Sequence, residues 1–403
     1  MQIEKKVKGW KRFLFVEKCV ILREATEGGT EMKGFGFGCM RLPMTGEEVD
    51  KEQFTKMVDR FMEEGFTYFD TARVYLKGKS ETALKECLTS RYPRESYQLA
   101  DKLSRSCFEK EEDIRPFFES QLESCGVSYF DYYLMHAIQA NSYQKYVKCR
   151  AFEIAQELKA EGKIRHIAMS FHDSAEVLEK ILQEQPSIEV VQLQFNYADY
   201  DNPVVQSQAC YEVCRKYGKP IIVMEPVKGG RLINLPEEAK AVFDRQGGGS
   251  YASYAIRYCS SFPGIFMVLS GMSDTKQMED NLSYMKEFHP FSEEEYKAVE
   301  EVREILKKQD SIPCTECKYC VDGCPMKISI PTLFGYYNDK MIYQWKTEQH
   351  YQNDTKDGGK ASSCIKCGKC EQACPQHLPI RELLTKVADV FEKEEWGKDI
   401  WQN

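Results

Sequence analysis

The chain has 403 residues, of which 42% are hydrophobic and 29% charged, so it can bury a sizeable core and fits two domains or one barrel with an appendage. Its formal net charge of −8 argues against nucleic acid or an anionic membrane as the main partner. No apolar run approaches the ~18 residues of a membrane helix, and Glu17 and Lys18 break the apolar stretch Phe13–Leu22 where a signal peptide would need a continuous core, so a cytoplasmic protein is expected.

Residues 1–32 match none of the repeating elements in the rest of the chain and read as an N-terminal extension. Glu27-Gly28-Gly29 can be encoded by a purine-rich ribosome-binding sequence just upstream of Met32, which makes Met32 the candidate authentic start. Gly34, Gly36 and Gly38 approach a Gly-x-Gly-x-x-Gly fingerprint, but Cys39 stands where the last glycine is required, so a Rossmann domain is unsupported. Short apolar segments then recur at Gly36–Arg41, Phe66–Ala72, Tyr97–Leu103, Phe130–His136, Ile164–Phe171, Val190–Asn196, Pro220–Glu225 and Ile265–Gly271. Helical patterns lie between them: Phe54, Val58, Phe61 and Met62 share one face, as do Phe152, Ala155, Leu158 and Lys159. Gly65, Gly162 and Gly218 are placed to cap helices just before strands. Eight strand-then-helix units over about 250 residues is the arithmetic of a (β/α)8 TIM barrel, expected over 33–291; an open doubly wound sheet would have fewer strands.

Ser292 and Glu295 form a capping box that starts a helix to about Lys308, so 292–312 is expected to connect the barrel to a second domain at 313–403. That domain holds eight of the chain's seventeen cysteines. They form two runs, Cys314, Cys317, Cys320, Cys324 and Cys364, Cys367, Cys370, Cys374, each reading C-x2-C-x2-C-x3-C-P. This is the spacing of bacterial-type [4Fe-4S] sites, in which three thiolates wrap one cubane and the fourth ligates the other. Cluster one is therefore expected on Cys314, Cys317, Cys320 and Cys374, and cluster two on Cys364, Cys367, Cys370 and Cys324. Structural zinc uses paired C-x2-C knuckles and would leave the third cysteine and the C-P unexplained. Leu333–Trp345 and Pro379–Lys393 (with Ile380, Leu383, Leu384, Val387 and Val390 at helical spacing) make this ferredoxin-like domain mainly helical, with a polar loop at Lys356–Lys360.

Polar residues at the C-terminal ends of barrel strands carry the chemistry of such folds. Strand two ends at Asp70 with Tyr75 in the next loop, strand three at Lys102, strand four at His136. A tyrosine can protonate a carbonyl oxygen as hydride arrives, provided a cation such as Lys102 lowers its pKa; Asp70 would hold the lysine and His136 orient the carbonyl.

Phe69-Asp70-Thr71-Ala72, Tyr75, Gly78-Lys79-Ser80-Glu81, Ala100-Asp101-Lys102-Leu103 and Leu134-Met135-His136 together resemble the aldo/keto reductase family over roughly residues 34–290, and with the cysteine tail its iron–sulfur branch. The resemblance implies a (β/α)8 barrel, Tyr75 as general acid in a tetrad with Asp70, Lys102 and His136, and NADP or NAD at the barrel mouth. It further implies carboxamide contacts at Gln192 and Ser170, although Phe171 stands where an asparagine is expected. Met224 takes the place of the aromatic that stacks on nicotinamide. Ser270-Gly271-Met272-Ser273, Gln277 and Asn281 resemble the phosphate loop, with Gln277 replacing the arginine that grips a 2′-phosphate and Lys276 as a compensating cation. His172, beside Asp173, also sits at a strand end in a capping or catalytic role.

These residues support two readings. One is an oxidoreductase of small-molecule carbonyl substrates that also carries two [4Fe-4S] clusters, coupled to or stabilised by them, with a ferredoxin or flavoprotein as redox partner. The other is an electron-transfer iron–sulfur protein whose barrel does not turn over nicotinamide. The intact tetrad favours the first and the altered cofactor contacts the second.

Overall fold

The computed structural model describes residues 34–393 except Val204, Asp310, Pro313, 315–318 and 375–377. The Met32 start and the ligand Cys317 lie outside the described residues.

Eight strands appear where the apolar segments recur: β1 Phe35–Gly38, β2 Tyr68–Asp70, β3 Gln98–Leu103, β4 Phe130–Ile138, β5 Ile164–Phe171, β6 Val190–Gln194, β7 Ile221–Met224 and β8 Ile265–Gly271. All neighbours are parallel and β1 pairs with both β2 and β8, which closes the barrel. Period-2 alternation sends Tyr68, Ala100, Tyr132, Leu134, Ala168, Val190, Ile222, Met267 and Leu269 into one buried cluster. Gly36 belongs to that crowding: a Cβ there would stand 2.8 Å from Leu269 Cδ2 and 2.9 Å from Tyr68 Cδ1.

The helices are α1 Lys51–Glu63, α2 Lys79–Leu84, α3 Ile114–Cys125, α4 Ala140–Lys148, α5 Ala151–Ala160, α6 Ala175–Glu184, α7 Ser207–Lys216, α8 Glu237–Asp244, α9 Tyr251–Ser260 and α10 Thr275–Met285. Helix α1 starts at Asp50, whose carboxylate accepts from Gln53 N at 2.9 Å, and buries Phe54, Met57, Val58 and Phe61. Met62, expected on that face, is only half-buried; Met57 lies deeper because it is one turn before Phe61. Gly65, Gly162 and Gly218 end helices at φ 81°, 78° and 64°, values that only glycine reaches without strain. No described helix is long and apolar enough to cross a membrane.

The chain divides into two compact units. Among the described residues, the first holds those up to Asp201, Val205–Pro226 and Ala255–Phe291; the second holds 202–203, Val227–Tyr254 and those from Ser292 onward. In the second unit, α11 Glu293–Lys308 begins with the capping box: Glu295 N donates to Ser292 Oγ and Ser292 N to Glu295 Oε2. It packs on α8. Beyond it come α12 Tyr319–Asp322, α13 Ile330–Tyr343, α14 Glu348–Thr355, α15 Lys369–Gln372 and α16 Ile380–Phe391, with no strand among the described residues of this unit. Their core is small and aromatic: Leu333, Phe334, Tyr337, Tyr351, Leu384, Val387 and Phe391, with Tyr351 stacked on Phe391 at 4.7 Å. The Asn338 amide accepts from Ile312 N and donates to Ile312 O, fixing the chain just before the first cysteine.

Candidate functional site

The strand ends bring three charged or polar groups together inside the barrel mouth. Lys102 is fully buried and donates to Asp70 Oδ1 at 2.5 Å and to the Thr71 carbonyl at 2.7 Å. Gln192 Nε2 donates to the other Asp70 oxygen at 3.1 Å. Removing a lysine from water disfavours its charge, but Asp70 and the other acceptors outweigh that and hold its pKa above the usual value. Lys102 Nζ stands 4.9 Å from the Tyr75 ring centroid, and the Tyr75 and His136 rings meet edge to face at 6.1 Å.

Tyr75 sits on a one-turn helix, Tyr75–Gly78, in which Leu76 and Lys77 take φ 50° and 58°, a left-handed pair of non-glycine residues that costs strain and turns the chain sharply into α2. From sequence, Lys102 is expected to lower the tyrosine pKa. Lys102 does act in that direction, but burial is the larger effect and the net shift is upward. Tyr75 is thus held protonated.

His136 lies at a bulge: the β4–β5 register shifts between Met135 and Ile138, and Ala137 takes φ 52°. Strand β4 therefore runs on to Ile138 rather than ending at His136. Ser170 Oγ accepts from Ala137 N at 2.7 Å and so pins the bulge. Ser104, two residues beyond Lys102 on the same face of the chain, bonds His136 Nδ1 at 2.6 Å. Burial, then Lys102, then His172 push the His136 pKa down to about 3, so the imidazole is neutral at neutral pH. Ser104 is absent from the residues expected from sequence; its period-2 spacing from Lys102 is the signal that could have found it.

Behind Lys102 lies a second polar layer. Asp101 Oδ1 accepts from Lys102 N and from Gln121, Gln121 also donates to Glu81, and Glu81 pairs with Arg73 at 2.6 Å. Burial raises the pKa of both carboxyls; Glu81 pushes Asp101 up further, whereas Arg73 and the hydrogen bonds from Gln121 and Asp101 hold Glu81 partly down, as expected of two acids that share a proton.

The loop after β8 is tied to itself and to β1. Asn281 Nδ2 donates to Ser270 Oγ at 2.9 Å, and Ser273 N to Gln277 Oε1 at 2.9 Å. Asp274 caps α10 by accepting from Gln277 N. Met272 is fully buried, while Gly271, Ser273, Lys276 and Gln277 are exposed. Ser273 Oγ donates to the Arg41 carbonyl, and the Arg41 stem lies over Gly271, where an added Cβ would meet Arg41 Cδ at 3.6 Å. Arg41 is an exposed cation beside this loop that the linear sequence does not advertise, because 229 residues separate it from Gly271 in a chain closed by the β1–β8 pairing. Met224 ends β7 half-buried. Asp173 accepts from Ala140 N and Ser174 N, a capping arrangement, and His172 is exposed at the mouth.

In the second unit a shallow cavity open to solvent is lined by Cys364, Cys367 and Cys370 of the second cysteine run and by Cys324 of the first. Pro325, Met326, Ile328, Ile330, Ile365 and Leu384 complete a mostly apolar wall. Four thiols around a low-polarity cavity suit a cubane, whose charge is spread over cluster and thiolates. Helices α12 and α15, which carry Cys320 and Cys370, pack together, and Cys320 and Cys374 are buried. The barrel cysteines differ in kind: Cys39, Cys125, Cys214 and Cys259 are buried with their thiols pushed up by burial, and Cys210 is pushed up to about 12, so they remain protonated core residues.

A closed parallel barrel with ionisable groups at successive strand ends, followed by a helical four-thiol unit, defines an oxidoreductase-type barrel joined to a ferredoxin-type domain. The model of the aldo/keto reductase family matches residues 35–304, and that of the 4Fe-4S dicluster domain residues 313–379. The chain belongs to the aldo/keto reductase family and carries a C-terminal 4Fe-4S ferredoxin-type domain. An aldo-keto reductase from Klebsiella pneumoniae, solved in complex with NADPH, superposes with a TM-score of 0.57 at 17% identity, over 72% of this chain and 96% of that one. The uncharacterized oxidoreductase YqkF of Bacillus subtilis is 22% identical over 300 residues, 66% of this chain and 90% of its own. Acetyl-CoA decarbonylase/synthase complex subunit alpha 1 of Methanosarcina acetivorans is 31% identical over 84 residues, and the chain spans only 9% of that relative's length.

Proposed function

We propose that the protein is a cytoplasmic, NAD(P)H-dependent oxidoreductase that interconverts small carbonyl compounds and alcohols, and that it also holds two [4Fe-4S] clusters. The observation that carries this reading is the buried Lys102–Asp70 pair at 2.5 Å, with its ammonium 4.9 Å from the Tyr75 ring. A charged lysine is expensive to bury and is retained here at the one place where a phenolate would form.

A bound nicotinamide supplies or accepts the hydride. Tyr75 donates its phenolic proton to the carbonyl oxygen as negative charge develops there, and the Lys102 ammonium stabilises the phenolate left behind. Asp70, steadied by Gln192, keeps Lys102 charged and aimed. Neutral His136, with Ser104 donating to Nδ1, has its Nε2 hydrogen available to the carbonyl oxygen. In the alcohol-to-carbonyl direction the same phenolate takes the proton back. Ser170 accepts from Ala137 N and retains its own hydrogen for a carboxamide oxygen.

Gln192, Ser170, Met224, Ser270, Gly271, Met272, Ser273, Gln277 and Asn281 are the cofactor contacts in this reading. Ser270 and Asn281 brace the phosphate loop, and buried Met272 serves as its packing anchor. Arg41 supplies the cation that Gln277 cannot, with Lys276 beside it. The chemistry belongs to 33–291 and cluster binding to 313–403, with 292–312 joining them. The ligand sets are Cys314, Cys317, Cys320 and Cys374 for one cluster and Cys364, Cys367, Cys370 and Cys324 for the other, the second supported by the shared cavity.

The electron-transfer reading, with a barrel that does not turn over nicotinamide, is favoured by the self-bonded Gln277 and the Gln192–Asp70 bond, which engage groups otherwise available to a cofactor. Titration with NADPH followed by nicotinamide fluorescence separates the two: saturable binding together with carbonyl reduction that is lost in Tyr75→Phe supports the first, and absence of binding by the folded, cluster-loaded protein overturns it.

A further inference from the structure

The rim of the four-thiol cavity is unlike the rest of this acidic chain. Ile365 is 60% exposed, the highest value among the exposed large apolar side chains described, and Met326 is 37% exposed; both line the cavity, as does the exposed Cys367. Lysines alternate with these groups. Lys327 follows Met326, Lys366 stands between Ile365 and Cys367, and Lys369 between Gly368 and Cys370; all three are exposed. Among the described residues no ion pair neutralises any of them, whereas nearby Arg381 is paired with Glu371 at 2.7 Å. Gly359 packs against the Lys327 backbone, where a Cβ would stand 3.0 Å from Lys327 O, so the loop carrying exposed Lys360 lies beside the same rim. Residues 356–370 hold four lysines and one aspartate in a chain of net charge −8.

A solvated loop explains scattered lysines but not their backbone. Lys327 and Lys366 both occupy the left-handed region, at φ 53° and 56°, where glycine or asparagine would be unstrained. Each is strained relative to those residues, so a cation is kept at two positions against local preference. Exposed apolar side chains interleaved with such cations are the anatomy of a docking face: apolar contacts hold the partner, and the charges beside them select and steer it.

We propose that this face docks a small acidic electron-carrier protein. The inference rests on the reading that Cys324, Cys364, Cys367 and Cys370 hold a cluster. One electron leaves the reduced carrier, which is oxidised by one unit, and reduces that cluster by one unit; no proton or further reactant is needed. A small, brief redox contact needs only the low end of interface areas, which suits two apolar side chains and four lysines. An anionic lipid surface would meet the same charges, but neither it nor a nucleic acid would use the exposed thiol that lies between them in sequence.

The test uses anaerobically prepared holoprotein and a purified acidic ferredoxin as probe, with affinity read by surface plasmon resonance at about 20 mM and about 300 mM salt, on either side of the ionic strength at which the Debye length is ~10 Å. Wild type is compared with Lys366→Glu/Lys369→Glu, with Ile365→Ser, and with Lys297→Glu as an exposed control on α11. The proposal expects Kd to rise at least about tenfold in the double variant at low salt, with a shallower salt dependence, a smaller rise for Ile365→Ser, and no change in the control. Iron content and the reduced-cluster EPR spectrum are read on the same samples. Protein that takes up no iron overturns the cluster reading itself. Fully loaded protein that binds ferredoxin equally with and without the two lysines overturns the docking face alone. Binding of phosphatidylserine vesicles, but not of ferredoxin, that vanishes in the double variant also overturns it and assigns the lysines to a lipid surface.

Discussion

Lys102 of the barrel and Cys367 of the second unit are both candidate functional residues, yet they are positioned by opposite means. Lys102 has no exposed surface, sits within β3 between two hydrogen-bonded neighbours, and has its ammonium fixed by two acceptors. Cys367 is exposed in a segment between a one-turn helix, Ala361–Ser363, and the four-residue α15. Eight parallel strands hold the barrel site in shape before a ligand arrives, so binding has little ordering to do there. The thiol site is built from short turns around a small aromatic core, and much of its rigidity is left for iron–thiolate bonds to provide.

That contrast can be broken most sharply at Tyr75. Tyr75→Phe is expected to lower kcat for carbonyl reduction by about 10³-fold, within the usual range for loss of a general acid, while NADPH affinity and iron content stay unchanged. Steady-state kinetics beside an iron assay check this; full activity would remove Tyr75 as the acid. Cysteine substitutions come next. Cys370→Ser should cost about four of the eight irons expected of two cubanes and lower the thermal stability of the second unit, whereas Cys210→Ser on α7 should keep all the iron. Equal iron loss from both would contradict the division between ligand and core thiols. In the barrel, Ser104→Ala is expected to lower kcat about tenfold, because His136 loses the partner that fixes its ring, with less effect on KM.

The pH response separates the units further. With His136 pushed down to about 3 from its ordinary 6.5, the folded barrel binds fewer protons than the unfolded chain between those values. Its contribution is therefore complete above pH 6.5 and is lost as pH falls towards 3. His136→Asn should flatten the fall in barrel melting temperature between pH 7 and 5 that wild type shows. An unchanged slope would mean that other groups carry it. Smallest of all, Ser292→Ala should cost about 1 kcal/mol by removing one half of the capping box on α11, seen as a shift of a few degrees in the second unit's transition only.

The parts of this molecule that were legible in the sequence are those governed by neighbours along the chain. Strand periodicity found all eight barrel segments, and Ile164–Phe171 and Ile265–Gly271 match their strands residue for residue. Glycine caps and the Ser292–Glu295 box are local chemistry and appear where the sequence places them. Cysteine spacing anticipated the grouping of Cys324 with the second run. What was not legible depends on closure in space. Arg41 reaches the loop after β8 only because β1 pairs with β8. The β4 bulge at His136 is visible only against the β5 register. The upward shift of Tyr75 depends on how deeply the loop settles, which no spacing encodes.

The path of Val227–Tyr254 constrains how this protein can be made and dismantled. This stretch belongs to the second unit, where Leu232, Leu235, Val242 and Phe243 are buried and α8 rests on α11. A ribosome delivers it, then the rest of the barrel through Phe291, and only afterwards the helix it packs against. During synthesis α8 must wait without the helix it packs against while β8 is already available to close the barrel. A gene cut after Phe291 would make that wait permanent: the product would hold all eight strands, and would display a greasy orphan segment that invites aggregation. The second compact unit thus begins inside the stretch that the aldo/keto reductase match covers, 35–304, and a catalytic half cannot be obtained simply by stopping translation at Phe291.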